Sequence, residues 1–272
     1  LSAVRVGVAF RQLATVLELA LILRVIAGGF DVSRTQPISF APGAGDRGLL
    51  VGTPFAVSLF WVMYAYSGWN ASTYVLGEVR NPARTIPLSL GLGTVLVAAL
   101  YLALNAVFLR TTPLAELVGK QEVGLIAGEH IFGSAGGKVM AIFIALGLVS
   151  TGSAMVWIGP RVTVAMGEDL PALGWLAGRN RRGVPVRATL LQFAIANLLI
   201  LITSFQKVVN YVQFSLTLFS ALTVIGVYGL RWRQPALPRQ YRTWGDPVTP
   251  LIFLAISGWM LSTATLKLGA SS

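Results

Sequence analysis

Seven stretches of predominantly apolar residues follow one another along the chain, at about 9–27, 51–77, 87–110, 138–166, 187–204, 207–230 and 248–268. This recurrence constrains the fold more than any single motif. A helix rising ~1.5 Å per residue needs ~20 apolar residues to cross ~30 Å of hydrocarbon, and in lipid every backbone polar group must be satisfied internally. Barrel strands would be short and alternating, and none of the seven stretches alternates. The expected fold is therefore an all-α, polytopic membrane helix bundle, with residues 1–272 forming a single transmembrane domain. Composition agrees: 55% hydrophobic and 11% charged residues leave too little charge for a water-facing surface.

A net charge of +11 raises nucleic acid as a partner, but the placement of the basic residues argues for a membrane topology instead. If the loops alternate sides, one side receives Arg5, Arg11, Arg80, Arg84, Arg161, Arg179, Arg181, Arg182, Arg187, Arg231, Arg233, Arg239 and Arg242. The other receives Arg34, Arg47, Arg110, Lys120, Lys138, Lys207 and Lys267, interleaved with acids. The positive-inside rule puts the first set in the cytoplasm. Loops 78–87, 168–187 and 231–246 are then cytoplasmic, in a multi-pass protein of the plasma membrane whose surroundings are lipid, with no nucleic-acid partner. Trp232, Tyr241 and Trp244 fit an interfacial aromatic belt.

The connections carry their own signals. Residues 28–48 hold Pro37 and Pro42 and few apolar anchors, as an outer loop would. Asn81-Pro82 and Pro87 are expected to bracket the turn into the third span. Thr111-Thr112-Pro113 is a helix start for one or two short interfacial helices within 111–137, and 168–186 reads as a short helix or loop. The fourth span exceeds a perpendicular crossing and should tilt or project into the cytoplasm. There is no cysteine, hence no disulfide and no thiolate chemistry. Leu1 stands first with no leader-like segment before the first span, so the chain reads as a fragment that starts in mid-protein.

Function is signalled in the second span, where Tyr66-Ser67-Gly68-Trp69-Asn70 interrupts two apolar runs. Gly68 lowers helix propensity by ~1 kcal/mol relative to Ala, and Ser67 and Asn70 can bond the local backbone. If the patch unwinds, freed carbonyls and amides face a cavity near the bilayer midplane, as in discontinuous transporter helices. The alternative is that Gly68 and Ser67 only let another helix approach closely. Residue types alone leave both readings open.

Three motifs in order extend this reading. Tyr64-Ala65-Tyr66-Ser67-Gly68-Trp69-Asn70 is followed by Glu78-Val79-Arg80-Asn81-Pro82-Ala83-Arg84-Thr85-Ile86-Pro87. Then come Gly159-Pro160-Arg161 with Glu168-Asp169 and Val184-Pro185-Val186, and lastly Arg231-Trp232-Arg233 with Gly245-Asp246-Pro247. Together they resemble the permeases of the amino acid, polyamine and organocation superfamily, over nearly the whole chain. The resemblance implies helices five to eleven of a twelve-helix, inverted-repeat transporter, with an N-terminal half of the same protein completing the site. It implies a secondary transporter of amino acids or related amines working by alternating access, proton-coupled or by exchange, with no cofactor. In such permeases the substrate ammonium is held by carbonyls at the break, which map to Tyr64, Ala65 and Ser67. Tyr64 corresponds to a gate, and Ser153 and Ala154 to the pocket wall. Asn70 either faces that pocket or bonds another helix.

Intramembrane charge is the remaining signal, because ionisable groups at depth are costly unless paired or solvated. The resemblance implies that several such permeases carry a lysine at about the place of Glu18; an acid there reverses the charge, so the lysine's role does not transfer. Either Glu18 relays a proton near Ser150 or Thr151, or it pairs with a basic residue of the other half. Arg24 lies near the outer end and can snorkel. His130, the only histidine, is expected at the surface beside Glu129 rather than on a metal. An intramembrane enzyme would need a nucleophile and base, or metal ligands, within the spans, where Glu18 is the one carboxylate. A sensor or channel on the same fold is the other alternative. The coding sequence upstream of Leu1 tests the reading: four further spans are expected there, with a glycine-rich interruption in the first, whereas a soluble domain would overturn it.

Overall fold

The computed structural model describes residues 2–33, 35–39, 41, 43, 45–237 and 243–270. Arg34, Pro42, Arg239, Tyr241 and Arg242 lie outside the described residues, as do the side chains of Arg5, Arg11, Glu78 and Lys267. Among the described residues the regular structure is entirely helical. The helices are α1 (Ser2–Asp31), α2 (Asp46–Leu50), α3 (Thr53–Ala65), α4 (Pro82–Thr111), α5 (Leu114–Leu117), α6 (Val123–Asp169), α7 (Val186–Ile202), α8 (Phe205–Arg233) and α9 (Val248–Ala270). Two 3₁₀ helices, Trp69–Glu78 and Pro171–Leu176, follow α3 and α6.

Among the described residues five segments are long and apolar enough to cross a membrane: Gln12–Asp31, Pro82–Thr111, Val123–Asp169, Phe205–Arg233 and Val248–Thr265. Val186–Ile202 is a shorter apolar helix. The apolar stretch 51–77 is divided between the 13-residue α3 and the 3₁₀ helix after it. α6 also has an internal break. Gly133 adopts φ 75° and ψ −178°, separating a short helix that ends at Phe132 from one that runs on to Asp169. At ~1.5 Å per residue the second part is about 54 Å long, well beyond a ~30 Å hydrocarbon core, so it must tilt or project.

One proline behaves differently from its sequence expectation. The turn before α4 is made by Asn81 at φ 49°, and Pro82 opens the helix, but Pro87 lies inside α4 rather than at a turn. Proline at the first position removes an amide that has no helical partner anyway, so the helix starts there. Asn81 supplies the left-handed corner itself and its carbonyl accepts the amides of Arg84 and Thr85 at 3.1 and 3.0 Å. No second break at Pro87 is needed.

Backbone contacts divide the chain into two compact units, Leu1–Phe40 with Pro87–Thr189 and Ala41–Ile86 with Leu190–Ser272. In the first, α1 packs along α6 around buried Val25, Val107 and Met140, with Leu21, Leu104, Phe108, Ile131 and Phe132 about them. Lipid offers no hydrophobic gain for helix association, so close packing through small residues must hold the helices together. A Cβ on Gly29 would overlap Val107, one on Gly128 would overlap Met140, and one on Gly28 would lie 2.6 Å from the Phe132 ring. The amide of Gln36 bonds the carbonyl of Arg110 at 2.8 Å, tying the chain beyond α1 to the end of α4.

In the second unit α3 packs on α8 and α9, and α8 packs on α9. Ala56 and Phe60 are buried on α3, and the rings of Phe55 and Trp259 lie 6.4 Å apart. Val209, Gln213, Thr217 and Ala221, spaced one turn apart, form the buried stripe of α8. Between α8 and α9 the Arg231 guanidinium pairs with the Asp246 carboxylate, and the Tyr228 hydroxyl donates to the Pro247 carbonyl at 2.7 Å. Trp232 and Trp244 are 89% and 83% exposed, suited to an interfacial position.

The packing makes a direct prediction. Gly29→Ala should lower stability by about 1–3 kcal/mol through overpacking against Val107. Gly226→Ala, where a Cβ meets nothing within 4 Å, should be neutral or slightly stabilising. Thermal unfolding of the complete protein in detergent checks both; equal effects would mean that the α1–α4 contact does not depend on Gly29.

Candidate functional site

The interruption of the second apolar stretch begins where α3 ends at Ala65. Tyr66 caps the helix at φ −92° and ψ 5°, and Gly68 then turns the chain into the left-handed region at φ 97° and ψ −13°. That conformation costs about 1–2 kcal/mol for a residue with a Cβ. Open space surrounds Gly68, with nothing within 4 Å of a Cβ built there, so backbone conformation and not close approach accounts for its place. Of the two sequence readings of Gly68, close helix packing is the one this geometry does not support.

The end of a helix leaves its last carbonyls without their usual amide partners. Here the Tyr66 amide bonds the Val62 carbonyl at 3.1 Å and the Ser67 amide bonds the Tyr64 carbonyl at 3.0 Å. The Tyr64 carbonyl is thus engaged, and its second lone pair is what a ligand donor could use. Past the turn, the Ala71 amide bonds the Gly68 carbonyl at 3.0 Å and the chain winds as a 3₁₀ helix. Local back-bonding sustains that geometry, but through Ser72 to the Trp69 carbonyl and Thr73 to the Asn70 carbonyl, at 2.7 and 2.6 Å, rather than through Ser67 and Asn70. The Asn70 amide donates instead to the Tyr74 hydroxyl at 2.6 Å. Tyr64, Ala65, Ser67 and Gly68 are exposed, and Tyr66 and Asn70 are half-buried.

The other candidate residues lie in the first unit. Glu18 packs against Gly147 of α6, where a Cβ would stand 2.9 Å from Glu18 Oε1. That oxygen is shielded from solvent and has no hydrogen-bond partner among the described residues. A cavity of about 60 Å³ adjoins it, lined otherwise by apolar groups including Leu17, Phe143 and Leu146. Gly147, Ser150, Thr151 and Ala154 follow at helical spacing on one face of α6, since residues three and four apart are neighbours. Ser150 is buried, Ala154 half-buried, and Thr151 and Ser153 exposed. No hydrogen bond joins Glu18 to Ser150 or Thr151. Arg24, two turns along from Glu18, stacks its guanidinium 5.9 Å from the Phe132 ring centre.

Some contacts have no local sequence signal. His130 pairs through Nε2 with Glu116 Oε2 at 2.8 Å, across 14 residues of chain, rather than with adjacent Glu129. No group of three metal-ligating side chains occurs among the described residues. Gln213 is only 3% exposed, its Oε1 has no partner, and its amide reaches Thr217 Oγ1 at 3.4 Å. The sequence signal for this glutamine is a polar side chain within the fourth long apolar helix.

Residues 1–266 match the amino acid permease family. The human b(0,+)-type amino acid transporter 1 is 25% identical over 262 residues, covering 95% of this chain and 53% of that protein. The serine/threonine exchanger SteT of Bacillus subtilis (strain 168) is 28% identical over 225 residues, covering 80% of this chain and 51% of the exchanger. The human large neutral amino acids transporter small subunit 2 is 29% identical over 201 residues, 73% of this chain and 37% of that protein. The chain spans about half the length of the curated relatives it matches. A family match over nearly every residue, joined to long apolar helices with a break at Gly68, makes this chain a multi-pass membrane protein of the amino acid permease family.

Proposed function

We propose that the chain is part of a secondary active transporter that moves amino acids or related amines across the plasma membrane by alternating access. The observation that carries this reading is the left-handed turn at Gly68, set within an apolar stretch of an amino acid permease. An ammonium group has three donors and needs acceptors held in place. The carbonyls of Tyr64, Ala65 and Ser67 supply them, Tyr64 closes over the ligand, and Asn70 with Ser153 and Ala154 meets the substrate side chain. A further part of the same protein supplies the carboxylate's partners. The protein performs no covalent chemistry in this cycle. Loops 78–87, 168–187 and 231–246 lie in the cytoplasm, where positive loops are retained.

Glu18 of α1 is the proposed coupling residue, with Ser150 and Thr151 on the α6 face that begins at Gly147. A carboxyl oxygen shielded from solvent and without a hydrogen-bond partner among the described residues is costly at depth, which is what singles out Glu18 as the place where a coupling ion could act. Gly147 leaves the space its carboxyl occupies. One of the relatives is a serine/threonine exchanger, which supports exchange as the alternative driving mode.

Uptake of a labelled amino-acid panel into proteoliposomes of the complete protein tests the proposal. Accumulation against a gradient, or exchange with preloaded substrate, is expected, and failure across the panel would overturn it. Gly68→Ala should reduce uptake roughly tenfold, as ~1–2 kcal/mol of backbone strain displaces the break. Glu18→Gln should abolish the pH dependence of transport, and Gly147→Ala should weaken it by pushing the carboxyl aside. Full pH-dependent transport by Glu18→Gln would remove Glu18 from the mechanism.

A further inference from the structure

The connection between α6 and α7 holds four arginines within nine residues, Arg179, Arg181, Arg182 and Arg187, which the transport cycle proposed above leaves unused. This connection is built by specific contacts. Leu176 is 3% exposed. The 3₁₀ helix folds back on Gly167, where a Cβ would lie 2.8 Å from the Ala177 amide nitrogen. Arg187 Nη1 donates to the Trp175 carbonyl at 3.2 Å. Asn180 organises the rest: its Oδ1 accepts the amides of Arg182 and Val184, both at 2.9 Å, and its own amide bonds the Val184 carbonyl at 2.9 Å. The Gly183 amide closes the turn onto the Asn180 carbonyl at 2.8 Å.

Within this frame the four guanidiniums have different fates. Arg187 is held by Trp175, and Arg179 lies 3.6 Å from the Glu168 carboxylate. Arg181 and Arg182 are exposed, adjacent, and without an acidic partner among the described residues. Two neighbouring cations with fixed backbones repel each other unless an anion bridges them, and forked guanidiniums match phosphate oxygens two at a time. The position selects the anion. α6, which is long enough to span a membrane, leads into the connection, and α7 turns apolar immediately after Arg187, so the arginines stand next to the start of an apolar helix, as basic residues at headgroup level do. Trp175, 52% exposed on the same connection, is the residue type that settles at that level.

We propose that residues 175–187 form a docking surface for anionic phospholipid headgroups, with Arg181 and Arg182 binding phosphate and Trp175 seated beside the glycerol region. The assignment to the cytoplasmic leaflet, where anionic lipid attracts basic segments, rests on the orientation given under the proposed function. The device would fasten the end of the longest helix to the membrane surface.

Binding is read by titrating the complete protein in non-ionic detergent with fluorescent phosphatidylglycerol and, separately, phosphatidylcholine. The Arg181→Gln/Arg182→Gln variant should raise the phosphatidylglycerol Kd by roughly 30-fold, since each arginine near an anionic surface contributes roughly a factor of five. Arg181→Lys/Arg182→Lys should lose only a few-fold, keeping charge without the fork, and phosphatidylcholine binding should not change. An unaltered Kd in the glutamine variant, with thermal unfolding like the parent's, overturns the proposal. So does displacement of the lipid by inorganic phosphate, which would make the turn a free-anion site. Arg182→Cys, probed with a membrane-impermeant maleimide in intact cells, tests the orientation separately: labelling from outside would overturn the cytoplasmic placement while the detergent titration still decides headgroup binding.

Discussion

In a bilayer an amide or carbonyl without a partner costs several kcal/mol, and this demand for internal satisfaction governs where the chain can leave the α-helix. Nearly every apolar stretch obeys it with uninterrupted helix. The stretch at 51–77 departs from it, and the structure shows how the departure is tolerated. The amides of Tyr66 and Ser67 fold back onto the carbonyls of Val62 and Tyr64, and Ser72 and Thr73 support the 3₁₀ helix beyond Gly68. A break that satisfies most of its own backbone can persist without substrate. What it offers a ligand is then the remaining lone pairs of a few carbonyls, acceptors of the kind that an ammonium group or another cation uses.

The same economy of space operates in the helix contacts. Gly28, Gly29 and Gly128 allow Phe132, Val107 and Met140 to enter where any Cβ would collide or crowd, so α1, α4 and α6 approach closely without a hydrophobic driving force. Gly147 uses the same device for a different purpose. The space it leaves is filled by a carboxyl group, and the oxygen placed there has no hydrogen bond. Both contacts lie on one helix pair: Val25 and Met140 hold it together about two turns from the half-buried Glu18.

Features that depend on local chemistry were legible in the sequence. Long apolar helices follow from apolar length, five of them long enough to cross a membrane among the described residues, and irregular backbone after Ala65 follows from a glycine and polar side chains between apolar runs. Features that depend on distant partners were not. The pairing of His130 with Glu116 and the burial of Gln213 are decided by which helix faces which. Pro87 illustrates a second limit. Asn81-Pro82 and Pro87 were expected to bracket the turn; Asn81 and Pro82 make it, with Asn81 in the left-handed corner, and Pro87 lies inside α4. Of the candidate site, Tyr64, Ala65, Tyr66, Ser67, Gly68 and Asn70 were legible as one irregular segment. Ser153 and Ala154 came from family resemblance alone, because an exposed serine and a half-buried alanine on a long helix carry no signal of their own.

The central claim is that substrate binds at the break after Ala65, and substrate protection of a thiol placed there tests it most directly. Ser67→Cys in the complete protein, alkylated with and without a transported amino acid, should react several-fold more slowly when substrate is present. Gly226→Cys, on α8 with open space around it, should react at the same rate in both conditions. Equal alkylation of Ser67→Cys with and without saturating substrate would contradict the account, because the carbonyls flanking that residue could not then be holding the ammonium.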